Sequence, residues 1–160
     1  MALNKKHGGI DEIEALAMHE EVIRDLYIAY ARRFPEHITF WEQLANEEQA
    51  HAGWIRNLLR NAEDGELEIV PGRFRLKAIE TSMKYLRNEA EKSRTKEIDI
   101  GYAAEIAREV ESALIDRKFF EIFETDSEVL QDTLTALQNA TKEHRKKVDE
   151  FFKEIKKSGN

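Results

Sequence analysis

Two prolines and seven glycines punctuate a chain of 160 residues. A sandwich or barrel of this length needs far more turn residues, so the scarcity predicts an all-α protein. The few breakers divide the chain. Gly8-Gly9 precede the first periodic run, and Pro35 ends it, because proline disfavours helix in the residue before it. Asp64-Gly65 stops the next run, Pro71-Gly72 lie in the following connection, and Ser93-Arg-Thr-Lys with Gly101 mark a further break. Thr39-Phe-Trp-Glu42 and Thr125-Asp-Ser-Glu128 both fit the capping-box pattern at a helix start. These signals predict helices over about 10–34, 39–61, 73–91, 97–124 and 127–156, in one domain spanning about 1–160. Short links make the first two and the last two antiparallel hairpins. A long connection carrying the 73–91 helix joins the hairpins into a four-helix bundle with one crossover.

Charged residues make up 36% and hydrophobic residues 41%, a balance suited to amphipathic helices with solvated outer faces. The net charge of −7 argues against nucleic acid as a partner, since a binder needs a basic face. The absence of cysteine excludes disulfides, thiol chemistry, zinc fingers and cysteine-ligated iron–sulfur centres, and fits a reducing cytoplasm. The longest run without a charged residue is the nine residues Thr133 to Thr141. A spanning helix needs about 20 mostly apolar residues, so no membrane segment is expected. The N-terminal MALNKKHGG does not read as a signal peptide.

A bundle helix buries positions spaced three and four apart. The stripe on the first helix reads Ile13, Leu16/Ala17, Glu20, Ile23, Tyr27, Tyr30/Ala31, Phe34, with Glu21 grouped outward beside Glu14 and Asp25. On the second it is Trp41, Leu44, Glu48, His51, Ile55, Leu58. The 97–124 helix gives Ala104, Ala107, Glu111, Leu114/Ile115, Phe119, Ile122. The last gives Leu130, Leu134, Leu137, Thr141, His144, Val148, Phe151, Ile155. Each stripe is interrupted near its middle by an ionisable group. A lone buried carboxylate costs several kcal/mol, so four interruptions at similar depth imply mutual compensation. Three carboxylates and two imidazoles converging in a core are natural ligands for iron, manganese or zinc.

Glu48-Gln-Ala-His51 is a Glu-x-x-His motif whose two side chains share one helix face. A weak internal repeat aligns Leu44-Ala-Asn46-Glu-Glu48-Gln-Ala-His51 with Leu137-Gln-Asn139-Ala-Thr141-Lys-Glu-His144. Glu20 precedes His51 by 31 residues, and Glu111 precedes His144 by 33. Two equivalent hairpins would form a pseudo-twofold site. Thr141 stands where the second half would carry a glutamate.

The segments EALAMHEEVIRDLYIAYA, LANEEQAHAGWI, AREVESALIDRKFFEIFE and LQNATKEHRKKV resemble the rubrerythrin branch of the ferritin-like superfamily, over about Ile10 to Ile155. The resemblance implies the ferritin-like bundle and a metal site of Glu20, Glu48, His51, Glu111 and His144, with Tyr27 seven residues after the first ligand. It implies one or two iron ions that react with peroxide or oxygen, and a homodimer. Thr141 replaces the fourth-helix glutamate, so one tight ion and one weak or absent ion is the expectation. No cysteine means no rubredoxin-type centre, and redox turnover would draw on an external electron donor. The alternatives are a metal-binding or storage protein without turnover, and a metal-free helical scaffold. Under any of them Thr141 is expected to pack, its hydroxyl bonded to backbone or water.

Overall fold

The computed structural model describes residues 2–61, 68–69, 76–116 and 123–159, with side chains placed in 13–58, 60, 76–113 and 125–159. Those residues form five α-helices: α1 (Ala2–Arg33), α2 (Ile38–Asn61), α3 (Leu76–Thr95), α4 (Ile100–Asp116) and α5 (Glu128–Ser158). One antiparallel ladder of two-residue strands, β1 (Glu68–Ile69) and β2 (Phe123–Glu124), pairs Glu68 with Glu124 and Ile69 with Phe123. Among the described residues no helix is long and apolar enough to cross a membrane.

Three boundaries depart from the sequence reading. α1 runs straight through Gly8-Gly9 and begins at Ala2. Glycine inside a helix costs about 1 kcal/mol relative to alanine, which weakens a helix without ending it. The helix expected over 97–124 is shorter at both ends. It begins at Ile100 because the Asp99 carboxylate accepts the Tyr102 N–H at 2.8 Å, a local N-cap. At its far end residues 123–124 are extended and pair with β1, so the helix cannot reach them. Finally, Thr39 does not cap α2. A 3-10 turn, Pro35–His37, leads directly into Ile38, and Thr39 lies inside the helix. The second capping signal does its work one turn later than the pattern's first residue: Ser127 is the N-cap of α5 and its side chain accepts from Leu130 N–H.

Helix α1 packs against both α2 and α3, α4 packs against α5, and α2 meets α5. This gives α1 two buried faces. Beside the expected stripe it buries Ala15, His19, Val22, Leu26 and Ala29, a second set at helical spacing. The stripes of α2 and α5 are buried as read, with Ile155 half-buried at the end. On α4, Ala104, Ala107 and Glu111 are buried, while Phe119 and Ile122 fall outside the described residues. At one end Phe40 stacks on Phe151 at 3.8 Å, and Trp41 meets Phe151 edge-on at 5.5 Å, which fixes α2 against α5. Each such fully buried side chain contributes about 1.5–3 kcal/mol. The packing places the middles of α1, α2, α4 and α5 around one buried volume.

Candidate metal centre

Glu20 on α1, Glu48 and His51 on α2, Glu111 on α4 and His144 on α5 are all at most 6% exposed. They sit in that buried volume because each occupies a core position of its helix stripe. His144 lies at the centre. Its Nδ1 is 2.7 Å from Glu48 Oε1 and 3.6 Å from Glu111 Oε1. His51 Nδ1 is 3.4 Å from Glu48 Oε2, and the two imidazole rings are 4.8 Å apart. Ligand atoms of Glu48, His51 and His144 all lie within 4.8 Å of one another. Glu20 and Glu111 flank this triad. Glu20 is in hydrogen-bond contact with Glu48, and Glu111 accepts the Tyr27 phenol at 2.8 Å.

The electrostatics follow from packing three carboxyls into one dry space. Burial, reinforced by the charges of Glu48 and Glu111, raises Glu20 well above the usual carboxyl range. Burial also raises Glu111, to about 7, with the Glu48 charge adding to it and His144 and Tyr27 opposing. Burial would raise Glu48 too, but hydrogen bonds from Glu20, His144 and His51 hold it well below the usual range. Burial would lower His144, but its bonds to Glu111 and Glu48 push it up to about 11. The metal-free cluster is therefore balanced by protons: a neutral Glu20 beside an ionised Glu48 and an imidazolium.

Protons do not satisfy every group. Taken as carboxylates, Glu20, Glu48 and Glu111 each keep one buried oxygen, Oε2, without a hydrogen-bond donor. Orphaned buried acceptors of this kind are rare and costly. Carboxylate oxygens and imidazole nitrogens within one ion's reach are the donor set that a divalent first-row cation takes. The residues present thus fit a metal ion. Thr141 takes no part: it is buried, and its hydroxyl donates to Leu137 O at 3.0 Å on its own helix. That matches the packing role expected of it.

The sequence reading missed Glu47. Its Oε1 accepts Lys147 Nζ at 2.8 Å, and its Oε2 lies against His144 Nε2, on the side of the ring away from Glu48. A carboxylate behind a ligating imidazole fixes which ring nitrogen carries the proton and which faces the metal. The repeat could have signalled it: the position equivalent to Glu47 in the second half is Ala140, so both acidic residues of the first half lack counterparts. Replacing Glu47 with Gln is expected to weaken metal affinity by about 10–100-fold while leaving the metal-free fold intact. Competition with a chromophoric chelator measures this, and unchanged affinity would show that the contact orients nothing.

No protein-family model matches the chain, and no curated protein or solved structure gives a match.

A second buried polar group was also unforeseen. Glu89 on α3 accepts Tyr102 Oη at 2.7 Å and Lys92 Nζ at 3.2 Å, joining α3 to α4. His19 reaches Ser82 on α3 at 2.8 Å. The second buried face of α1, with His19 in its middle, was visible as a periodicity beside the first. On the outer edge, Arg56 of α2 donates to Glu14 at 2.9 Å and to Glu21 at 2.6 Å. The acidic edge grouped outward by the sequence is thus where α1 and α2 are pinned together.

Proposed function

We propose that this chain is a rubrerythrin-like, ferritin-type non-haem metal protein that binds iron and uses it in the reduction of peroxide. Glu48, His51 and His144 would hold the ion, with Glu20 and Glu111 completing its surroundings. The observation that carries the reading is the convergence of Glu48, His51 and His144 ligand atoms within 4.8 Å in a fully buried site. The pairing of α1 with α2 and of α4 with α5, with α3 in the long connection, supports the ferritin-like bundle. The absent matches leave the family likeness resting on the quoted motifs and on this geometry.

Iron, when bound, supplies one-electron redox chemistry. The chain's own groups set the rest. Glu48 brings the charge already fixed at neutral pH. His144 presents Nδ1 to the site once its proton leaves, while Glu47 holds the Nε2 side. Glu20 is a neutral carboxyl that can give up a proton when a cation takes its place. Charge balance favours one ion. Three carboxylates nearly neutralise one divalent cation with a proton to spare, whereas two cations would leave a buried excess of positive charge. Manganese or zinc would suit the same donors.

Metal content per chain, after anaerobic loading with ferrous iron and removal of loose metal, tests the reading; one iron is expected. Replacing Thr141 with Glu should raise the content toward two and destabilise the metal-free chain, because it adds a fourth buried carboxyl. No uptake of iron, manganese or zinc would sink the proposal. A second reading, a metal-free scaffold, is favoured by one observation: His144 already serves as an internal cation for Glu48 and Glu111. Absence of metal with an undisturbed fold would select it. Iron bound without peroxide turnover would select a binding or storage role.

A further inference from the structure

Reducing hydrogen peroxide to two waters takes two electrons, and a single ferrous ion gives one. The chain contains no cysteine that could supply the other. The nearest oxidisable group is Tyr27, fully buried, whose Oη donates to Glu111 Oε1 at 2.8 Å. Its ring lies 5.7 Å from that of Trp41, and Trp41 meets Tyr30 edge-on at 5.0 Å. Beyond Tyr30 the surroundings change. Tyr30 lies within electrostatic range of Glu89, Tyr102 and Tyr85. Tyr102 donates to Glu89, and Tyr85 is 44% exposed. A line of oxidisable rings therefore leads from the carboxylate centre, across α1 and α2, to the surface of α3 and α4.

We propose that Tyr27, Trp41 and Tyr30 form a relay that supplies the second electron for peroxide reduction and passes the oxidising equivalent outward to Tyr102 and Tyr85. The inference rests on the iron reading given above. In the first step one electron comes from the ferrous ion, and one electron with the Oη proton comes from Tyr27. The proton leaves along the bond to Glu111. With one further proton from the medium, hydrogen peroxide becomes two waters, leaving a ferric ion and a neutral Tyr27 radical. Trp41 then refills Tyr27, which regains its proton, and Tyr30 refills Trp41. A surface one-electron reductant of the ascorbate class refills Tyr102 or Tyr85.

Hydrogen bonding explains why the equivalent keeps moving. Trp41 Nε1 and Tyr30 Oη are buried and make no hydrogen bond among the described residues. Neither has a base for the proton it would shed on oxidation, so neither is a resting place. Tyr102 has one in Glu89, at 2.7 Å. The terminus is thus the first tyrosine beyond Trp41 with a proton acceptor attached.

The test loads the full chain anaerobically with ferrous iron, measures iron in that same sample, and adds one equivalent of hydrogen peroxide. Freeze-quench electron paramagnetic resonance reads the radical, and a nitroso spin trap followed by peptide mapping locates it. The expected result is a tyrosyl signal with adducts on Tyr85 or Tyr102. Tyr30→Phe should keep the iron content and the radical but lose those surface adducts. Its hydroxyl has no partner, so the fold should be unaffected. Tyr27→Phe should lose the radical. Full iron loading with no organic radical overturns the relay alone, as do surface adducts that survive in Tyr30→Phe. A chain that takes up no iron overturns both the relay and the reading beneath it.

Discussion

Replacing Glu48 with Gln should abolish metal uptake and destabilise the metal-free chain by about 3–5 kcal/mol, the cost of breaking a buried ion pair. Glu48 is the residue on which the centre turns. It lies 2.7 Å from His144 and 3.4 Å from His51, and it accepts the proton held by Glu20. Gln has the same shape but no charge. The His144 imidazolium would lose its nearest counter-ion, and one of the three convergent metal ligands would become a weak neutral donor. Denaturant unfolding of the metal-free variant and elemental analysis after loading read the two effects separately. Full metal content, or a stability change within about 1 kcal/mol, would remove Glu48 from this position.

Metal-free and metal-loaded chains should respond to pH in opposite senses. In the metal-free chain Glu20, Glu111 and His144 all hold their protons more tightly folded than unfolded. Their contribution to stability is complete below the unfolded pKa and is lost as pH rises through the folded one. For Glu111 that window runs from 4.5 to about 7, and for His144 from 6.5 to about 11. Glu48 and Glu47 have the opposite sign. Their folded values are depressed, so their contribution is present above 4.5 and lost as pH falls below it. Metal-free stability should therefore peak near pH 5 and decline toward pH 9. Metal ligands must be deprotonated, so metal competes better as protons become scarce. The rise in Tm on adding zinc, a redox-inert probe, should be larger at pH 8 than at pH 5.5. A flat metal-free profile, or a larger metal effect at the lower pH, would contradict the proton-balanced centre.

Much of this was readable from the chain itself. Helix existence followed from the scarcity of glycine and proline, because few positions can break a helix and those few are clustered. The inward direction of Glu20, Glu48, His51, Glu111 and His144 followed from stripe position, because a helix repeats its face every three to four residues whatever it packs against. Boundaries were less legible. Asp99 caps α4 through a side-chain geometry that a Ser/Thr-based pattern does not detect, and β2 forms only because β1, far away in sequence, is there to pair with it. Glu47 was missed because it lies at the edge of its stripe. Its meaning depends on His144 and Lys147, both on another helix.

The sequence by itself determined the all-helical class, the stripes and the residue types that the core must accommodate, since these depend on local backbone preference and periodicity. Only the tertiary structure decided which of those residues meet. It set His144 between Glu48 and Glu111, turned Thr141 back onto its own backbone, buried a second face of α1 under α3, and lined Tyr27, Trp41 and Tyr30 toward Glu89. Those outcomes depend on the rotation and depth of one helix against another. Side chains far apart in the chain fix them together, and no single helix encodes them.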